Sequence, residues 1–139
     1  MVQLIVGEKG KGKTKELLGM VDETLKTAEG NLVFVDKTHK HMYSLNKNIR
    51  LIDSSEYALL DSHEFIGFLC GILSEDNDIE CIFLDSFLNI AKVGLDDLTP
   101  VVLRLGELSS MFDVNFVASV EANEKDIDDE IKGYIKISL

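Results

Sequence analysis

Cysteine, proline and arginine are all scarce in this sequence, and each shortage narrows what the chain can be. Its two cysteines, Cys70 and Cys81, stand alone in apolar settings without C-x-x-C spacing. A disulfide framework is therefore not expected, and a reducing compartment suits both thiols. His39, His41 and His63 have no cysteine or acidic partner at metal-ligand spacing, so no zinc site is expected. The single proline, Pro100, and the lack of repeats or low-complexity runs leave no room for a flexible linker. No apolar run approaches the roughly 20 residues of a membrane span. Met1-Val2-Gln3-Leu4 also lacks the charged start of a secretory signal. The expectation is a cytoplasmic protein that meets no membrane, with residues 1–139 forming one domain around a sizeable core.

The formal charge is −11. Broad nucleic-acid binding depends on neutralising phosphates, so a nucleic-acid partner is not expected. The charge is uneven, however. Residues 37–50 hold Lys37, Lys40, Lys47 and Arg50 and no acid, while acids crowd Glu75–Glu80 and Glu121–Glu130. If 37–50 follows a strand whose carboxyl end faces a ligand, it forms a basic lip suited to a phosphorylated substrate or an acidic partner.

What is abundant is concentrated near the start. Gly7-Glu8-Lys9-Gly10-Lys11-Gly12-Lys13-Thr14 fits G-x-x-x-x-G-K-[ST], the P-loop pattern, at every specified position. Glycines at those positions let successive N–H groups turn inward toward phosphate oxygens. Lys13 is placed to reach the β- and γ-phosphates, the Thr14 hydroxyl to bind Mg²⁺, and Lys15 to follow in the first helical turn. The apolar run Val2–Val6 before the loop and the helical spacing of Leu17, Leu18, Val21 and Leu25 after it supply the strand–loop–helix context. The positive end of that helix adds to the anion site.

Along the rest of the chain, Leu32–Val35 reads as a buried strand ending at Asp36, and Lys37–Asn48 as a loop with a possible helical turn. Ile49–Ile52 is a short strand and Ser54–Tyr57 a turn. Ser62 is the expected cap of a helix to Ser74, with Phe65, Ile66, Leu69, Cys70 and Leu73 inward. Cys81–Leu84 is a buried strand ending in Asp85, and Leu88–Val93 a helical turn. Thr99-Pro100 reads as a cap and first-turn proline opening a helix to Phe112. Asn115–Ala118 is a strand ending at Ser119, and Glu121–Lys132 is loop or one short helix. Tyr134–Leu139 alternates as an edge strand would, with Ile135, Ile137 and Leu139 on one face. Strands alternating with helices imply an α/β domain with a mainly parallel sheet of five to six strands flanked by helices. Ligands bind beyond the carboxyl ends of such strands, which singles out Asp36, Asp53, Asp85, Ser119 and Glu121.

Cys81-Ile82-Phe83-Leu84-Asp85 has the form of a Walker B strand, whose carboxylate can orient water or Thr14 around Mg²⁺. Many P-loop ATPases follow that aspartate with a water-polarising glutamate, where this chain has Ser86. Glu121, past the next strand, is the candidate substitute. Arg50 and Arg104 are the only arginines, so an arginine finger in cis is not expected.

The order of P-loop, Walker B strand, polar strand end at Ser119 and short last strand resembles the RecA-like ATP-binding core. That resemblance implies a three-layer P-loop NTPase. It also implies that the Ser119 strand lies between those ending at Val6 and Asp85, with Leu32–Val35 further out and the last strand beyond the first. The opening Gln3–Thr14, Phe83-Leu84-Asp85 and the length further resemble small bacterial ATP-binding proteins often labelled twitching-motility pilus-retraction (PilT-type) ATPases. The chain is too short for that motor's two-domain subunit, so what carries over is the nucleotide site. RecA-like thymidine kinases are a second resemblance, differing in the glutamate after Walker B and in a terminal cysteine cluster. The expected cofactors are ATP and Mg²⁺, and the expected activity is slow hydrolysis through Lys13, Thr14, Asp85 and Glu121. The alternatives are a non-hydrolysing nucleotide-binding protein that engages a protein partner or a second copy of itself, and a nucleoside kinase.

Overall fold

The computed structural model describes all residues 1–139. Its centre is a six-stranded, wholly parallel sheet. The strands are β1 (Val2–Gly7), β2 (Asn31–Asp36), β3 (Arg50–Asp53), β4 (Ile79–Leu84), β5 (Asn115–Glu121) and β6 (Ile135–Ser138). In space they run β3-β2-β4-β5-β1-β6. The strand carrying Ser119 thus separates β1 from β4, β2 lies beyond β4, and β6 flanks β1, which is the order that the RecA-like resemblance implies.

Connections between parallel strands are right-handed, so the direction in which the chain steps across the sheet decides which face each connection covers. From β1 to β2 to β3 the chain steps one way. That places α1 (Lys13–Thr27) and the β2–β3 connection on one face. From β3 through β4 and β5 to β6 it steps back, which places α2 (Ser62–Glu75), α3 (Phe87–Ile90), α4 (Leu98–Phe112) and α5 (Asp129–Lys132) on the other. The side chains sort accordingly. Leu4, Val6, Val33 and Val35 join Phe65, Leu69 and Leu105 in the larger core, while Ile5, Phe34 and Phe83 join Leu17, Val21 and Ile49 in the smaller. With both faces covered, the four inner strands read as continuous apolar runs rather than alternating ones. No helix is long and apolar enough to cross a membrane.

Several boundaries differ from the expected ones. The cap of α2 is Asp61, whose side chain accepts the Glu64 N–H, and Ser62 is already helical. A tight turn at Leu95–Asp97 feeds directly into α4, so that helix begins at Leu98. Pro100 remains within the first turn, where its missing N–H has no intrahelical acceptor to lose. The Thr99 hydroxyl donates to Asp128 instead of capping. Glu121–Lys132 resolves into the end of β5, a tight turn at Glu124–Asp126 and α5. In β6, Leu4 pairs with Ile135 but Ile5 with Ile137, so Lys136 is an inserted residue. That bulge overturns the single-face expectation: Ile135 packs on the larger core and Ile137 on the smaller.

Cys81 sits in the middle of β4 at 3% exposure. Burial, aided by the nearby Glu80 charge, pushes its thiol up to about 12. It should therefore stay protonated and unreactive in the folded protein, while the part-exposed Cys70 alkylates at about pH 8. Mass spectrometry after brief alkylation should show Cys81 modified only in denaturant, and equal native labelling of both would contradict the buried placement. Because the folded thiol titrates above its ordinary 9.0, its contribution to stability is complete below that pH and is lost as pH rises toward about 12.

Candidate functional site

Loops that leave neighbouring parallel strands toward opposite faces open a crevice at the strands' carboxyl ends. Here the loop after β1 turns to the α1 face, while those after β4 and β5 turn to the other. The crevice between them encloses about 350 Å³. The glycine loop lines it with Lys9, Gly10, Gly12, Lys13 and Thr14; Lys37 reaches it from the end of β2, Asp85, Ser86, Leu88 and Asn89 from beyond β4, and Ser119 and Glu121 from β5.

The loop owes its shape to its glycines. Gly10 and Gly12 have φ of 81° and 94°, which side chains rarely tolerate, and Gly12 stands directly before α1. No side chain caps α1. The N–H groups of Gly10, Gly12, Lys13 and Thr14 donate to no other backbone group, so the positive end of a 15-residue helix opens on the crevice. Lys13 Nζ bends back to donate to the Glu8 carbonyl at 3.0 Å, and Glu8 Oε1 accepts from Asn123. Lys11 and Lys15 are exposed and lie outside the crevice lining.

At the foot of the loop the Thr14 hydroxyl donates to the Asp85 carboxylate, 3.0 Å to Oδ2 and 3.3 Å to Oδ1. Asp85 follows β4 and is 3% exposed. Its Oδ1 also accepts the Ser119 hydroxyl at 2.5 Å and the Ser86 N–H at 3.0 Å. The Ser86 N–H lies 2.8 Å from Ser119 Oγ as well, and Ser86 takes a left-handed backbone with φ of 54°. The first turn of α1, the residue after Asp85 and β5 are thus tied around one carboxylate. Glu121, opposite Gly7 in the β5–β1 register, is exposed at the rim of the same crevice.

A second carboxylate lies close by. Asp36 ends β2, next to β4, and is 3% exposed. Burial raises its pKa above the ordinary carboxylate value, opposed by the Lys37 N–H at 2.7 Å and reinforced by the charge of Asp85. His41 Nε2 faces both acids, 3.8 Å from Asp36 and 3.9 Å from Asp85. His39 makes a separate pair with Glu56 at 2.7 Å and lies 3.6 Å from Asp53. His39 and His41 thus meet acids that no metal-ligand spacing in the sequence marks: the fold brings Asp53 and Glu56 to one, and the carboxylates at the ends of β2 and β4 to the other.

Of the basic lip, Lys37 lines the crevice, whereas Arg50 opens β3 at the sheet's far end, within 4.0 Å of Glu75. A second hollow of about 630 Å³ lies between α2 and α4, with His63 and Arg104 in its wall. It is formed by helix flanks and gathers no strand-end acid. No family model matches the chain, and no curated protein matches it significantly.

Proposed function

We propose that this protein is a P-loop nucleotide-binding protein with a RecA-like core, which binds ATP with Mg²⁺ in the crevice and hydrolyses it slowly. The observation that carries the reading is the hydrogen bond from Thr14 to Asp85, made at the foot of a crevice-lining glycine loop whose amides donate to no other backbone group. A hydroxyl and a carboxylate are hard oxygen donors, the set that Mg²⁺ takes alongside phosphate oxygens. Thr14 and Asp85 would hold Mg²⁺ there, and the ion would supply positive charge to offset what develops in phosphoryl transfer.

The chain's own groups account for the rest. The loop amides of Gly10, Gly12, Lys13 and Thr14 donate to phosphate oxygens, and Lys13 exchanges the Glu8 carbonyl for a phosphate. In hydrolysis, water oxygen bonds to the γ-phosphorus while the bond to the β–γ bridging oxygen breaks, its electron pair leaving with ADP. The proton released by water passes to the Glu121 carboxylate and on to phosphate. Ser86 is too weak a base to replace a carboxylate, and Glu121 is solvated at the rim, so turnover is well below one per second. Ser86 also supports a second reading, in which ATP is held rather than consumed and orders a surface for a protein partner or a second copy of the chain.

Calorimetric titration with ATP, with and without Mg²⁺, tests the reading. Mg²⁺ should tighten binding to the wild type by tenfold or more, an order of magnitude typical of losing a metal's supporting ligand. In Asp85→Asn the Mg²⁺ gain should vanish while metal-free ATP still binds. An equal Mg²⁺ gain in both proteins would remove Asp85 from the site.

A further inference from the structure

We infer that Lys37 supplies, within the same chain, the positive charge that phosphoryl transfer needs on the side of the γ-phosphate away from the loop. The inference rests on the nucleotide reading above.

Charge in that transition state spreads over the three equatorial oxygens of the γ-phosphoryl group, so a single lysine on one side leaves it unevenly countered. Neither arginine is available: Arg50 sits at the sheet's amino end, and Arg104 pairs with Glu107 at 3.0 Å beside the other hollow. Three lysines line the crevice. Lys9 and Lys13 both come from the glycine loop. Lys37 alone comes from elsewhere, one residue beyond the end of β2, which lies past β5 and β4 from β1 in the sheet.

The backbone that carries it is hydrogen-bonded to the strand end. The Lys37 N–H donates to the buried Asp36 carboxylate at 2.7 Å. Two residues on, His39 is tied to Glu56 at 2.7 Å, and His41 lies against Asp36 and Asp85. The Thr38 hydroxyl accepts the Lys40 N–H at 2.9 Å, closing the turn between them. The backbone of 36–41 is thus braced at both ends, while the Lys37 ammonium forms no ion pair with any acid. A fixed base carrying an uncommitted cation is what a preorganised charge requires, because its position is set before the reaction begins.

The test compares wild type, Lys37→Ala and Lys37→Arg by three measurements: affinity for ADP, affinity for ADP with aluminium fluoride, and single-turnover hydrolysis of ATP. Lys37→Ala should leave ADP affinity within about twofold. It should also lower both hydrolysis and aluminium fluoride–dependent affinity by about a hundredfold, as for loss of one preorganised donor. Lys37→Arg should restore most of both. Equal hydrolysis and equal analogue affinity in wild type and Lys37→Ala would overturn the inference, as would a wild type that binds ATP but never turns it over. A wild type that binds no ATP overturns the nucleotide reading itself, and the role of Lys37 with it.

Discussion

Lys13→Ala should leave the protein folded and abolish its stabilisation by Mg²⁺ and ATP. The lysine's one hydrogen bond in the free protein is to the Glu8 carbonyl on the surface, so little of the fold depends on it. In the proposed nucleotide complex the same ammonium would meet two phosphates, a charge-assisted contact. Ligand at 100 times its dissociation constant stabilises a folded protein by about 2.7 kcal/mol. For a domain of this size that raises the melting temperature by roughly ten degrees. Thermal denaturation with and without the nucleotide reads the difference directly. A shift that survives in Lys13→Ala would place the nucleotide elsewhere.

Phe65→Ala should be the more damaging change to stability. Phe65 is fully buried on α2 and meets the Phe87 ring edge-on, centroids 5.8 Å apart at 83°. Removing it forfeits both the buried area and that aromatic contact, about 3–5 kcal/mol, against a total stability of roughly 5–15 kcal/mol for such domains. The melting temperature should fall by more than about ten degrees. The consequence reaches the crevice, because Phe87 follows Ser86 and opens the short α3 that carries Leu88 and Asn89. Urea denaturation of Phe65→Ala and Phe65→Leu measures the cost, with the leucine variant retaining most of the stability. A loss under about 1 kcal/mol in the alanine variant would mean that the core closes over the gap.

The parts of this protein that were legible in its sequence are those written in short windows. The glycine loop, the apolar inner strands and the acid after β4 each follow from a few adjacent residues, whereas the strand order came only as what the RecA-like resemblance implies. Contacts joining distant positions were not legible. His41 is five residues past Asp36 but 44 before Asp85, and nothing in its own surroundings marks it as facing either acid. Lys37 could be separated from Lys40, Lys47 and Arg50 only after the chain's course from β2 to β3 had placed one at the crevice and another at the sheet's opposite end. Local competition explains the misplaced helix starts. Asp61 accepts the amide that Ser62 was expected to hold, and the turn at Leu95–Asp97 begins α4 before Thr99 can cap it. The Lys136 insertion in β6 hides within an alternating pattern because a bulge leaves the apolar spacing of Ile135 and Ile137 unchanged.

The unequal interior has a dynamic consequence. Twenty-eight buried residues hold four helices to one side of the sheet, but only nine hold α1 and the β2–β3 connection to the other. Transient opening without global unfolding draws on the regions with the least buried apolar contact, so this thinner side exchanges its amide hydrogens with solvent first. Both the amino end of α1 and Lys37 belong to that side. The nucleotide proposed for this crevice would tie the looser layer to the firmer one, and the expected result is slower amide exchange across the whole α1 face.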